Sequence, residues 1–152
     1  MNGYTKFPEK KMYIILIAVA LIIAFSSIEV LMRVKDANLF EAWQEAVMNS
    51  GNFEEGFMPG MDEYVGVEMF KYIFKISIPM GFGLLTFLTY KKLRLNRLFV
   101  FIWSVLLLGG LAYTFFELNF ASVFYYLIIA GYLVLIVTVL SLSNEMDNTK
   151  KI

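Results

Sequence analysis

Three ionisable side chains lie within or at the edges of long apolar runs of the sequence: Glu29, Lys75 and Glu117. Charged groups are costly inside a bilayer, and where they occur there they commonly serve function. Two carboxylates and an amine can transfer protons as general acids and bases, or they can pair around an outward-facing polar vestibule. If the apolar runs form a bundle, all three lie at similar depth near the outer membrane face. A polar cluster with a Glu29–Lys75 pair and Glu117 nearby is then one arrangement.

In a simpler arrangement, the same residues form no functional site. Lys75 can extend its long side chain towards the outer surface, and Glu29 can pair with Arg33, one helical turn further on. Such positions cost little, because the insertion penalty falls away from the bilayer centre. The sequence favours this arrangement on the ground of cost. No charge lies near the middle of any expected span, which argues against an ion relay across the whole membrane.

The elements that must position these residues are membrane spans. Of the 152 residues, 59% are hydrophobic and only 17% are charged, whereas a soluble domain is about a quarter charged. The apolar residues form four runs long enough to cross a bilayer, which takes about 20 residues. We therefore predict an all-α integral membrane protein, a single domain whose four transmembrane helices form an antiparallel bundle. The predicted spans are about 12–32, 70–90, 98–116 and 120–142, with an external segment at about 33–69.

The distribution of positive charge predicts the orientation of this bundle. Lysine and arginine cluster before the first span, between the second and third, and after the fourth, which is one side of the membrane if there are four spans. The segment between the first two spans instead carries eight carboxylates against Arg33 and Lys35. Positive flanks mark the cytoplasmic side. We therefore predict a multi-pass protein of the cell membrane with both termini cytoplasmic.

The first part of the external segment is expected to form a short amphipathic helix. Its apolar residues recur at helical spacing, at Leu39, Phe40, Trp43 and Val47. Such a helix would lie on the outer membrane surface with Trp43 at headgroup level, or it would present a docking face to a partner. The sequence favours the interfacial helix, because amphipathic helices beside spans commonly act as anchors.

The rest of the external segment, "FEEGFMPGMDEYVGVEMFK", is rich in methionine and aromatic residues around a Pro-Gly turn at 59–60. These residues are too apolar for a loop in water, so we predict a structured cap over the outer end of the bundle. Ca²⁺ takes several oxygen ligands, but the spacing of the carboxylates matches no EF-hand loop, and we expect no metal site. The carboxylates that leave a calcium alternative open are Glu54, Glu55, Asp62 and Glu63.

The second span contains "SIPMGFG", which combines a helix breaker with small residues. Pro79 removes a backbone hydrogen bond and is expected to kink the helix, while Gly81 and Gly83 let a neighbour approach closely. Ser77 and Gly81 form a small-xxx-small pair, which is typical of helix packing in lipid. Interrupted helices also line transporter sites, but one proline with two glycines favours packing.

The chain contains no histidine and no cysteine. Disulfides, zinc–thiolate sites, histidine-ligated haem and Ser-His-Asp triads are therefore excluded, and we expect no enzyme and no cofactor. The net charge of zero gives no sign of nucleic acid binding. Four spans with a long first external segment and a short second one resemble the threading of claudins and tetraspanins. Those families carry paired cysteines in an external loop, so no functional residue is carried over from them.

These features predict a small non-enzymatic membrane subunit, an accessory, assembly or immunity-type protein that acts by packing with partners in the membrane. Its partners would be the lipid bilayer and other membrane proteins, or further copies of itself in a homo-oligomer. The alternative is a homo-oligomeric channel or membrane-perturbing effector with an acidic external mouth. A third hypothesis is an enzyme or small-substrate transporter that uses Glu29, Lys75 and Glu117.

Overall fold

Five α-helices make up nearly all of the described chain. The computed structural model describes residues 6–51, 58–93 and 95–149. No β-strand occurs in these parts of the chain, so the prediction of an all-α protein is confirmed. The helices are α1 Glu9–Lys35, α2 Ala37–Asn49, α3 Met61–Lys91, α4 Arg97–Phe116 and α5 Val123–Thr149.

Four of these helices are long and apolar enough to cross a membrane: α1, α3, α4 and α5 over Val123–Asn144. The predicted number of such helices is therefore confirmed. The second of them begins at Met61 rather than near residue 70 and is 31 residues long. The Glu63 carboxylate accepts a hydrogen bond from the Gly60 backbone N–H at 2.9 Å, which caps the helix at this earlier point. A bilayer needs only about 20 residues, so α3 is longer than one crossing requires.

The four long helices form a bundle whose two ends differ. Around the bundle, α1 contacts α3 and α5, and α4 closes the ring between the same two helices, with its looser contact on the α3 side. One end, called here the α2 end, holds α2 and the α4–α5 link at 117–122. The other, the terminal end, holds the start of α1 and the α3–α4 link, as the Phe7–Phe99 ring contact at 6.3 Å shows. Lys11 donates to the Ser141 carbonyl there and joins the end of α5.

The interior of the bundle is filled with apolar side chains. Phe82 of α3 packs against Trp103 of α4 with ring centroids 5.0 Å apart, and Phe7 and Leu95 close the terminal end. The described interior is thus packed like a soluble core along its length. Completely buried side chains along it include Ile15, Ile22, Phe82, Leu107, Ile128 and Leu135.

Pro79 is accommodated within α3 by a hydrogen bond from another helix. Because proline has no backbone N–H, the carbonyl of Lys75, four residues earlier, loses its helical partner. The Tyr132 hydroxyl of α5 donates to this carbonyl at 3.2 Å. Neighbouring helices commonly satisfy backbone groups that proline frees in membrane helices. The helix runs on through Pro79 to Lys91, and Tyr132 holds the turn of backbone that carries Lys75.

Tyr132 reaches this carbonyl because the facing residue on α4 is a glycine. A Cβ added at Gly110 would lie 2.9 Å from the Tyr132 hydroxyl oxygen and 2.8 Å from its ring. Such separations are too short for a real side chain, so any larger residue at 110 would push the tyrosine away. Gly110 and Tyr132 therefore act together on the proline-containing turn of α3.

The small residues predicted to pack in the second span have different surroundings. A Cβ at Gly83 would lie 3.2 Å from Val19, so α3 and α1 approach closely there, whereas one at Gly81 would make an ordinary 3.5 Å contact with Trp103. Ser77 is exposed, and its hydroxyl donates to the Ile73 carbonyl of its own helix. The close approach of α3 thus depends on Gly83 rather than on a Ser77–Gly81 pair.

Replacement of Tyr132 by phenylalanine should lower stability by about 1–3 kcal/mol, the usual cost of leaving a buried polar group without a partner. In a Pro79→Ala chain the alanine N–H can bond to the Lys75 carbonyl, so the same replacement should cost less. Unfolding of both single variants and the double variant in mild detergent measures this difference. An equal cost of Tyr132→Phe in the two backgrounds would contradict the proposed compensation.

Candidate functional site

Lys75 lies at the centre of a buried ionic cluster near the α2 end. Its ammonium group contacts a Glu29 carboxylate oxygen at 2.8 Å and a Glu117 carboxylate oxygen at 2.6 Å. The side chains of Lys75 and Glu29 are 5% and 6% exposed, and that of Glu117 is 19% exposed. One lysine thus joins α1, α3 and the end of α4 through two charge-assisted hydrogen bonds.

The partners of Lys75 determine where this cluster lies along the bundle, because Lys75 itself is not near the end of its helix. Lys75 lies near the middle of α3, but Glu29 is six residues from the end of α1 and Glu117 caps the end of α4. The first turns of α3 consequently extend beyond the cluster towards α2. The structure brings the three residues singled out in the sequence together at one end of the bundle.

The α4–α5 link adds a fourth residue to the cluster. The Asn119 side-chain amide donates to the second carboxylate oxygen of Glu29 at 2.9 Å. Between Glu117 and Asn119, Leu118 has a φ of 49°, a left-handed conformation that costs a non-glycine residue about 1–2 kcal/mol. The turn at Leu118 directs Glu117 to Lys75 and Asn119 to Glu29. Here local strain coincides with the positioning of two polar side chains, as is common at functional sites.

A second ionic group is centred on Glu68 and continues the first towards α2. Arg33 contacts the Glu68 carboxylate at 2.8 Å through Nε and donates to its other oxygen from Nη2 at 3.4 Å. Lys71, one turn on in α3, contacts the same carboxylate at 2.9 Å. Glu68 is 4% exposed, while Arg33 and Lys71 are 28% and 43% exposed. The buried member of this group is again shielded by two partners of opposite charge.

Sequence reasoning missed most of this second group, although the spacing of the charged residues along α1 and α3 indicates it. Glu68, Lys71 and Lys75 are separated by three and four residues, so they share one face of α3. Glu29 and Arg33 are four residues apart and share one face of α1. In antiparallel helices these faces meet with opposite charges, Glu29 with Lys75 and Arg33 with Glu68. The simpler arrangement, with Lys75 extended outwards and Glu29 paired with Arg33, is not the one that the structure adopts.

The combined network is electrically balanced. It contains three carboxylates and three cations, so its formal charge is zero. Balanced pairing is what makes burial of charge tolerable, because the loss of hydration is repaid only where geometry is good and further hydrogen bonds are made. A small cavity of about 20 Å³, partly open to the surface, lies among these side chains. The members of the network are Glu29, Arg33, Glu68, Lys71, Lys75 and Glu117, and all six line this cavity.

The amphipathic helix α2 rests on the protein's own α3. Phe40 and Trp43 pack against Tyr64 at tilted angles, with ring centroids 5.6 Å and 5.4 Å away. Tyr64 is 1% exposed, and its hydroxyl donates to the Arg33 carbonyl at 3.0 Å, which connects α2 to the network. Leu39 is exposed and Val47 is half-buried. Of the residues predicted for an interfacial helix, the two aromatic ones therefore contact α3.

The carboxylates considered for calcium have other surroundings. Glu63 caps α3 through Gly60, and Asp62 is exposed in the first turn of the same helix. Glu54 and Glu55 lie outside the described residues. Within the described ranges, no three acidic side chains are grouped as metal ligands.

Comparison with protein-family models, with curated proteins and with solved structures finds no match for this chain. The function is therefore inferred from the geometry of the chain's own residues.

Replacement of Lys75 by methionine should destabilise the protein by about 3–5 kcal/mol, because Glu29 and Glu117 would be left buried without their cation. Lys71→Met is the matched control and should cost no more than about 1 kcal/mol, since Lys71 is largely exposed and Glu68 keeps Arg33. Adding Glu29→Gln and Glu117→Gln to Lys75→Met should recover part of the loss. The free energy of unfolding in mild detergent is measured for the wild-type chain, the two lysine variants and the triple variant. Equal losses of stability in the two lysine variants would contradict the burial argument.

Proposed function

We propose that this protein is a small non-enzymatic membrane subunit that acts by packing with other membrane proteins or with further copies of itself. The observation that supports this best is the internal pairing of the charged network. Lys75, Glu29 and Glu117, the groups suited to acid–base chemistry, are engaged by one another. The cavity that all three residues line, at about 20 Å³, is too small for an organic substrate; the larger open grooves of about 380 Å³ and 330 Å³ are lined by Glu29 and by Lys75 separately. The network thus suits a structural role better than a catalytic one.

The proposal includes an orientation in the cell membrane. The described lysines and arginines at the terminal end include Lys10, Lys11, Lys92 and Arg97, whereas the α2 end carries the acidic helix α2 and the first turn of α3. The positive-inside rule then places the terminal end and both termini in the cytoplasm, with α2 on the outer side. In this orientation the neutral network lies near the outer surface, where α2 covers Tyr64.

The packed interior bears on the alternative of a channel. Side chains such as Ile22, Phe82 and Leu107 are completely buried along the bundle axis. Conduction would therefore have to run between subunits of an oligomer, since one bundle is closed by its own core. A ring of copies would place acidic groups of α2, Glu41 and Glu45, around an outer mouth, which is how cation channels attract their ions. We keep this as the second candidate.

Native mass spectrometry of the tagged protein, extracted gently from its own cells, tests the proposal. The expected result is a mass above that of one chain, either a mixed complex or a multiple of the chain. A mixed complex would support the subunit function and would identify the partner by its mass and peptides. A multiple of the chain would be followed by conductance measurements in liposomes, where a current reduced by Glu41→Gln with Glu45→Gln would favour the channel. A single chain under conditions that preserve other complexes would contradict both.

A further inference from the structure

We propose that the cavity within the charged network binds a single water molecule, anchored by Ser26. Ser26 lines the cavity together with the six charged residues of the network. It is 2% exposed, and its hydroxyl oxygen has no hydrogen-bond partner among the described residues. Buried polar groups are nearly always satisfied by protein or by ordered water, so an unpaired hydroxyl beside a polar cavity indicates a missing partner.

Most other hydroxyl side chains in the spans are hydrogen-bonded within their own helix, whereas Ser26 and Thr86 are not. Ser27, Ser77 and Ser104 each donate to the carbonyl four residues earlier in their own helix. This local bond is the usual way in which serine is satisfied within a helix. Ser26 does not make it, although it has the same backbone conformation in the middle of α1. Its hydroxyl is thus left free for the cavity.

The cavity has the size and the partners that a water molecule requires. A buried water needs a space of at least about 10–15 Å³ and two to four polar partners, and the cavity measures about 20 Å³. The Lys75 ammonium has three N–H donors, of which the carboxylates of Glu29 and Glu117 use two. Its third donor, the Ser26 hydroxyl and the carboxylate oxygens around the cavity together provide these partners.

The balance of charge selects water over a cation of similar size. The lining contains three carboxylates and three cationic side chains, so an added sodium or ammonium ion would bring an uncompensated charge beside Lys75, which is only 5% exposed. A neutral molecule that both donates and accepts hydrogen bonds brings no such charge. Glu29 and Arg33 also line an open groove of about 380 Å³.

The direction of the stability change in a Ser26→Ala variant tests the proposal, and a Thr86→Val variant is the matched control. Thr86 is also completely buried with an unpaired hydroxyl, but it does not line this cavity. Thr86→Val removes an unsatisfied group and should raise the folding equilibrium constant. Ser26→Ala removes the anchor of a bound water and should lower that constant by roughly 5- to 30-fold. Both are measured by unfolding in mild detergent.

A rise in stability for Ser26→Ala, like that expected for Thr86→Val, would show that the cavity is dry and would overturn the proposal. A second measurement does not depend on the folding of any variant: an experimental structure of the wild-type chain at a resolution that shows ordered water. Density for one water within hydrogen-bonding distance of the Ser26 hydroxyl supports the proposal, and an empty cavity overturns it. A melting temperature that depends on whether lithium, sodium or potassium is present at equal ionic strength would indicate a cation instead of water.

Discussion

Burial of charge at the α2 end dictates how the long helices of this protein must meet. Lys75, Glu29 and Glu68 are almost completely removed from solvent, and each is in contact with two polar or oppositely charged partners. Moving one such ion out of water costs several kcal/mol even after relaxation, so an incomplete network would be worse than an apolar one. The helices that supply the partners must therefore keep their relative positions. The network specifies how α1, α3 and α4 meet, in addition to whatever stability it contributes.

Several otherwise separate features can be understood as support for this arrangement. Tyr132 replaces the hydrogen bond lost at Pro79 and so holds the backbone of Lys75, and Gly110 leaves the space that Tyr132 needs. The left-handed residue Leu118 aims Glu117 and Asn119 at their partners. These contacts come from α4, α5 and the link between them. Two layers of interactions thus act on one lysine, one through its side chain and one through its backbone.

The sequence was sufficient for the number and type of the long helices, because apolar runs of this length have few alternatives to crossing a bilayer. It was also sufficient to single out Glu29, Lys75 and Glu117, since charge within an apolar run is conspicuous. It was insufficient for Arg33 and Glu68, which were assigned to an external acidic segment although α1 and α3 continue through them. Their roles depend on where the helices end, and helix ends are the least certain part of such a prediction.

Other contacts could not be predicted because they depend on which helices are neighbours. Nothing in the sequence near Pro79 points to Tyr132, more than fifty residues later, until α3 and α5 are placed around α4. The aromatic face of α2 has the composition of a membrane anchor, yet Phe40 and Trp43 lie on Tyr64. An amphipathic pattern defines an apolar face, and the pattern alone does not say whether lipid or protein covers it.

Two double-mutant cycles test whether Lys75 bonds to Glu29 and Glu117 at the same time. In these cycles Lys75→Met is combined with Glu29→Gln and, separately, with Glu117→Gln, and the free energy of unfolding is measured in mild detergent. The structure predicts a coupling energy above about 1 kcal/mol for both pairs, as is usual for residues that share a network. Coupling near zero for either pair would contradict this arrangement, because that carboxylate would then not be a partner of Lys75.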